Sequence, residues 1–491
     1  LNRIGAIASF INTNVTGKAL IHGIDVCGAT KLILGAEHLD RVRKREMDFA
    51  RIDPGRDVFV QVEGARPSGE VQSINAEVDA TPASAANAAV VPTNRDVYGY
   101  IYTSGTTGLP KAAIIRNQRM LAASFSFGHL MHRSGPGDVI YVPLPLYHSS
   151  AMFLGWGAAL ATGASVALRK KFSVKEFWKD IREFEATSFV YIGELCRYLL
   201  NSEPTSGEND HNLRVAVGNG MGAEIWEPFQ KRFGVPLIRE FYGATEGNAP
   251  IANYAGRPKM VGRLPLGQAI LRCDAATGEV IRNAAGFCDR VSPGEAGLLV
   301  GRISKLLSFD GYVDRPATEK KILTGVFKKG DRYFNTGDLL NLHEDRWISF
   351  ADRVGDTFRW KGENVSTAEI SGILGDGEGV LEANVYGVLV PGAEGRAGMA
   401  AIDIDDGFDL AGFARFIEAK LPGYQRPRFL RIIKAGMNIT GTFKHQKVDY
   451  RKQGFDPRQI EDDLFVLDSG TYVPVDEKRY AQIESGVFQI V

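Results

Sequence analysis

Residues 101–114 read "IYTSGTTGLPKAAI", a run of Thr and Ser set among glycines with one proline and one lysine. The run is too small and too polar to belong to a core. "VYGYIYT" before it reads as a strand, and "QRMLAASFSFGHLM" after it reads as a helix. A polar glycine-rich loop between such elements is where α/β proteins commonly hold phosphate. The spacing invites comparison with the Walker-type loop G-x-x-x-x-G-K-[ST], and it fails that comparison. Gly105 and Lys111 are six apart as required, but Pro110 stands where the second glycine belongs and Ala112 where the metal-binding hydroxyl belongs. Proline offers phosphate no N–H. What remains is Thr103, Ser104, Gly105, Thr106, Thr107 and Gly108, hydroxyls and glycine amides closed by the Lys111 cation. Such a set suits a triphosphate that must be held and then partly let go.

Outward from this loop, short apolar runs alternate with helical patterns through the first 250 or so residues. Strands are expected at "KLILG", "DVIYVPL", "SVALR", "TSFVYIG", "LRVAVGN" and "LIREFYG". Helix spacing marks "KEFWKDIREFE", "ELCRYLLNS" and "AEIWEPFQKRF" between them. The alternation predicts a largely parallel sheet covered by helices. From about Gly256 the texture turns Gly-rich with short strands, as in "GEAGLLVGRISKLLSFDGYVD", which predicts a β-rich subdomain. After "FADRVGD" a compact α+β pattern follows. The expected fold is therefore α/β: a large N-terminal domain of helix-covered sheets plus the β-rich subdomain over 1–351, a hinge at 352–356, and a small mobile α+β domain over 357–491.

Composition narrows the function classes. Lys+Arg and Asp+Glu are both 58, so a nucleic-acid surface has no support. Cys27, Cys196, Cys273 and Cys288 lie far apart without CxxC spacing, which reads as a reduced, cytoplasmic chain without a thiol metal site. The opening "LNRIGAIASFINTN" lacks both a starting Met and a signal pattern and reads as an interior beginning. Residues 139–168 carry no Asp, Glu, Lys or Arg and are long enough to cross a bilayer, yet Pro143, Pro145 and several glycines break them into strand, turn, helix and strand. The basic clusters "RVRKRE" (41–46) and "RKKF" (169–172) could touch anionic lipid, which leaves peripheral membrane contact open; a solvated face is their ordinary meaning.

"YTSGTTGLPKAA" resembles the phosphate-binding signature of adenylate-forming enzymes: acyl-CoA synthetases, luciferases and the adenylation domains of peptide synthetases. Other signatures of that family follow in order. "EFYGATEGN" (240–248) resembles its Tyr-Gly-x-Thr-Glu element. There Tyr242 offers a flat face to a purine, Gly243 lets backbone approach the nucleotide, Thr245 can donate to the α-phosphate, and Glu246 can hold Mg²⁺ through oxygen. "GNGMGAEIW" (218–226) resembles the adenine-side loop, with Gly220 assigned to the nucleotide, although it departs from the commoner Ser-Gly-Gly-Ala-Pro form. "PLYHSSAMF" (145–153) matches the element that puts His148 at the acyl-pocket entrance. In "YFNTGDLLNLHEDRWISFADRVGDTFRWKGENVS" (333–366), Asp338 and Arg353 fall where the family binds ribose. Gly355 falls at the hinge, where the family often has Asp or Lys, and Gly362 where the backbone lines the thiol tunnel. In "NITGTFKHQKVDY" (438–450) Lys444 keeps the spacing of the catalytic lysine, with Phe443 in place of the usual glycine and Lys447 close by.

These departures, with the ending "KRYAQIESGVFQI", resemble the fatty acid transport protein and very-long-chain acyl-CoA synthetase branch over essentially the whole chain. The resemblance implies a ligase that uses ATP, Mg²⁺ and coenzyme A to turn a fatty acid into acyl-AMP and then into acyl-CoA, with Lys444, Thr245 and Glu246 catalytic. The absence of a Ser/Cys–His nucleophile set agrees with direct attack by the substrate carboxylate. Two alternatives stay open: loading of a carrier protein's phosphopantetheine, and non-enzymatic fatty acid carriage. The apolar residues Met152, Phe153, Leu154 and Trp156 fit either an acyl tunnel or ordinary packing. Chain length and oligomeric state are not legible.

Overall fold

The computed structural model describes the chain outside residues 43–47, 54, 62–71, 83–89, 105–108, 224, 275–276, 306, 355, 357, 361–362, 392, 394, 435–446, 489 and 491. Its central element is a six-stranded sheet. The order across it is Ile251–Ala252, Ile238–Tyr242, Val215–Asn219, Ser188–Ile192, Val139–Val142 and Ser165–Leu168. All neighbours are parallel except the Ile251–Ala252 edge. Strands in such a sheet are covered on both faces, so "VAVGN" and "SFVYI" are buried along nearly their whole length rather than at alternate residues. Helices Val174–Glu183, Gly193–Leu200 and Trp226–Phe233 cover it with Phe177, Trp178, Leu195, Trp226 and Phe229. Each such side chain contributes about 1.5–3 kcal/mol by leaving water.

The charge-free run 139–168 resolves as the expected strand, turn, helix and strand. Its helical part, Ser150–Gly157, buries Met152, Phe153 and Leu154 in the core and leaves Trp156 exposed. Those three belong to the packed core. Among the described residues no helix is long and apolar enough to cross a membrane.

The opening loop differs from expectation in one respect. Strand Val97–Ser104 is followed by a second strand, Pro110–Arg116, and the helix begins only at Asn117. The two strands pair antiparallel, with Thr103 opposite Lys111 and Ser104 opposite Pro110. The loop therefore joins a β-hairpin and does not lead directly into a helix N-terminus. "AAII" has the apolar run a buried strand needs, and Pro110 sits at the first strand position, where its missing N–H is tolerated.

The β-rich part forms a second six-stranded sheet. Its main path runs Gly262–Arg263, Trp347–Arg353, Arg332–Leu342, Ala296–Arg302 and Gln268–Leu271, with Ile322–Thr324 added beside Arg332–Leu342. A five-stranded sheet closes the chain: Val380–Val388, Ala397–Ile404, Phe429–Ile432, Asp463–Asp468 and Thr471–Pro474. Its core draws only on residues from Phe358 to Ile490, whereas the core of the first sheet draws on residues from Ile101 to Ile238.

Candidate active site

Strands Ser188–Ile192, Val215–Asn219 and Ile238–Tyr242 are parallel, so their C-terminal ends share one edge, the place where open α/β sheets take ligands. Three of the sequence motifs meet there. Ser150 donates to Asn219 Oδ1 at 3.3 Å, and the Ser149 and Thr245 hydroxyls share a hydrogen bond of 3.0 Å. His148 precedes this pair, half-buried, with its ring 6.3 Å from that of Tyr147.

The next contact reaches across to the β-rich part. The Tyr242 hydroxyl donates to Asp338 Oδ2 at 2.5 Å. Arg353, directly opposite Asp338 in the antiparallel pair, lies 3.3 Å from Oδ1. Asp338 is buried, and its backbone N–H donates to Thr336 Oγ1 at 3.1 Å. Gly337 takes a φ of 78° between them, a turn that a Cβ would strain. Burial, and then the charge of Asp338, push the Tyr242 phenol well above its ordinary value, so it remains a neutral donor.

A third contact joins the opening loop's flanks to Glu246. Tyr312 lies against both Glu246 and Thr103; burial, and then the charge of Glu246, raise its phenol above the ordinary value, and Lys111 Nζ stands 5.8 Å from its ring centre. Tyr312 is anchored where Ile114 N donates to Gly311 O at 2.9 Å and Val313 N to Ala112 O at 3.0 Å. Arg119 donates to Ala244 O at 2.9 Å within the Tyr-Gly-Ala-Thr-Glu loop. Withdrawal from water brings its guanidinium down to about 10, against the opposing fields of Glu246 and Asp310. Arg119 therefore stays a cation at neutral pH.

The adenine-side loop is held from beneath. Gly220, exposed with a φ of 78°, donates its N–H to the buried Glu240 carboxyl, which also accepts from Tyr191 OH at 2.5 Å. Burial pushes Glu240 up to about 8. Gly193 is required by close approach: the Gly220 carbonyl oxygen lies 1.6 Å from where its Cβ would stand. Gly243 is exposed between Tyr242 and Ala244.

The structure thus brings Thr103, Lys111 and Glu246 together, and separately Tyr242, Asp338 and Arg353. Gly105, Thr106, Thr107, Gly108, Gly355, Gly362 and Lys444 lie outside the described residues, and Ser104 is described only as the strand end. Lys447 is engaged elsewhere, on Thr367 and Asp356. Tyr312, Arg119, Ser149 and Gly193 were missed by sequence reasoning. Tyr312 stands in "FDGYVD", whose glycine marks a turn, but nothing local links it to residue 103. Among the described residues no cluster of three His, Cys, Asp or Glu could hold a metal. Glu246 supplies one hard oxygen, a donor set that fits a Mg²⁺ carried in by a triphosphate better than a resident ion.

Comparison with known proteins agrees with this geometry. The family model described as AMP-binding enzyme matches residues 1–304. The solved structure of the anthranilate CoA ligase AuaEII in complex with anthranoyl-AMP is similar with a TM-score of 0.75 at 21% identity, covering 92% of this chain and 83% of that one. ATP-bound MatB from Rhodopseudomonas palustris gives 0.72 at 22% identity, over 92% and 84%. At such identity the likeness shows the fold. Fold and family model define the class, an adenylate-forming, AMP-forming ligase.

Curated relatives narrow it. Long-chain fatty acid transport protein 2 of Rattus norvegicus is 42% identical over 500 residues, 98% of this chain and 79% of the relative. Long-chain fatty acid transport protein 1 of Mus musculus is 42% identical over 513 residues, 100% and 77%. The chain belongs to the AMP-binding enzyme family, in its long-chain fatty acid transport protein branch.

Proposed function

We propose that the chain is a long- or very-long-chain fatty acyl-CoA synthetase, coupled to fatty acid uptake. The fatty carboxylate attacks the α-phosphate of ATP to give acyl-AMP and pyrophosphate; the coenzyme A thiol then attacks the acyl carbon and expels AMP. Catalysis is positioning plus electrostatics. Thr103, Ser104, Gly105, Thr106, Thr107, Gly108 and Lys111 hold the departing phosphates, and Thr245 donates to the α-phosphate. Tyr242, Gly243 and Gly220 take the adenine, Asp338 and Arg353 the ribose hydroxyls. Lys444 neutralises charge as the carboxylate meets the phosphate. His148 stands at the acyl entrance, and Gly362 lines the thiol path. Glu246 would hold Mg²⁺, which supplies charge neutralisation on the phosphates when bound.

One observation carries this reading. Thr103 and Glu246, from motifs far apart in the chain, both lie against Tyr312, and in the motif that ends in Glu246 the Tyr242 hydroxyl donates to Asp338, a contact that suits a nucleoside. ATP–pyrophosphate exchange across fatty acids of graded length, with and without coenzyme A, tests it. The expected result is exchange driven by long acids without coenzyme A, and acyl-CoA once it is added. Exchange without acyl-CoA transfer favours a carrier-protein acceptor. No exchange with any acid overturns the enzyme reading.

A further inference from the structure

Two aspartates flank position 355, the expected hinge. Asp352, on the near side, is the last residue but one of strand Trp347–Arg353, is 3% exposed, and accepts from Thr367 N at 2.7 Å and from Thr367 Oγ1 at 3.2 Å. Thr367 is itself fully buried and opens helix Thr367–Gly375. The preceding Ser366 caps that helix by accepting from Glu369 N, and it donates to Ala351 O at 3.2 Å. The helix start is therefore tied twice to residues 351–352, on the other side of the hinge.

Asp356, on the far side, faces two cations. Lys447 Nζ lies 3.3 Å from its Oδ2 and donates to Thr367 Oγ1 at 2.7 Å; Arg451 donates to Oδ1 at 2.6 Å. Both cations stand on helix Lys447–Gln453. One hydroxyl, that of Thr367, thus accepts from an ammonium and donates to a carboxylate. Hydrogen bonds to charged groups polarise such a link from both ends. Burial lowers the Lys447 pKa, as expected for an ammonium used in packing rather than exposed to solvent.

The joint divides into two parts by sequence alone. Lys447, Asp356, Arg451 and Thr367 all lie beyond 355 and travel together. Asp352 lies before it, in the strand that carries Arg353 opposite Asp338. A reorientation of the part beyond 355 would part Thr367 from Asp352, while Lys447, Asp356 and Arg451, all on that part, would keep their contacts.

Lys444 and Gly362 both lie beyond the hinge and are assigned to different half-reactions, so the small domain has to present a different residue in each. We propose that Asp352, Thr367 and Lys447 are positioning residues that latch the small domain in one of those two orientations, with Asp352–Thr367 the contact that each reorientation breaks and remakes. This rests on the acyl-adenylate reading above. Thr367→Val removes the hydroxyl with little change of shape, Lys447→Met removes the cation, and Thr367→Ser keeps the hydroxyl. Each is assayed for adenylation by pyrophosphate exchange and for thioester formation from supplied acyl-AMP. Thr367→Val and Lys447→Met are expected to change the ratio of the two rates by about fivefold or more, and Thr367→Ser to restore it. A common factor on both rates, or no change in either, overturns the latch. Hydrogen exchange over 366–371 reads the latch without catalysis: Asp352→Ala should lose protection there, and wild-type protection in that variant overturns the proposal. Should the wild type show no exchange of pyrophosphate with any acid, the acyl-adenylate reading falls while the amide protection still decides the contact.

Discussion

At position 444 a single ammonium is assigned the charge that builds as a carboxylate meets a phosphate. Its neighbour Lys447 is withdrawn from that task by Thr367 and Asp356. Lys444→Ala is expected to abolish pyrophosphate exchange and to spare thioester formation from supplied acyl-AMP, measured on the same preparation. Equal loss of both steps removes Lys444 from the adenylation role. Tyr242 permits a milder change. Tyr242→Phe deletes one hydrogen bond to a charged acceptor and leaves Asp338 paired with Arg353. The KM for ATP should rise about tenfold with kcat within about twofold, the scale of one such bond. A fall in kcat with unchanged KM would mean that the phenol acts on the reacting atoms instead.

At the scale of elements, the adenine-side loop owes its place to two neighbours that carry no chemistry. Glu240 holds it by Gly220 N–H, and Gly193 lets it pass close over the start of helix Gly193–Leu200. Gly193→Ala puts a methyl where the Gly220 carbonyl oxygen already lies, so the loop must shift. The expected outcome is a loss of about 1–3 kcal/mol in stability by denaturant melting, with a raised KM for ATP. Unchanged nucleotide binding would show that the loop tolerates displacement. The hairpin at residues 97–116 teaches a related lesson. Helix pattern is legible from Gln118 onward, and the apolar run in "PKAAIIR" is local, but its pairing with Val97–Ser104 is what makes it a strand.

At the scale of the molecule, helix Gly193–Leu200 of the first part meets strand Val380–Val388 of the last. Asn201 donates to Leu381 O at 3.2 Å, and the Glu382 carboxyl faces that of Glu194, two like charges in a partly buried place. Asp403, Arg197 and Tyr198 face the same pair. Burial, and then Glu194, raise Glu382 above the ordinary carboxylate range. The folded chain therefore binds more protons here than the unfolded one, and the contact weakens as pH rises past that range. Thermal stability of the wild type should fall between about pH 5 and pH 8 more steeply than that of Glu382→Gln, which mimics the protonated form. Parallel curves would remove the raised Glu382 carboxyl.

Sequence alone determined the class of fold, because hydrophobic period and glycine placement are local properties of a chain. It also supplied the order of the polar motifs: Thr103 and Lys111, then Tyr242 to Glu246, then Asp338 and Arg353. Tertiary structure decided which of these touch, and through what. Tyr312, Arg119 and Ser149 became visible only when strands from distant parts of the chain converged, since no periodicity encodes a contact between residues 103, 246 and 312. The roles of Asp352 and Lys447 were equally hidden, because a charge's meaning depends on the partner folded against it.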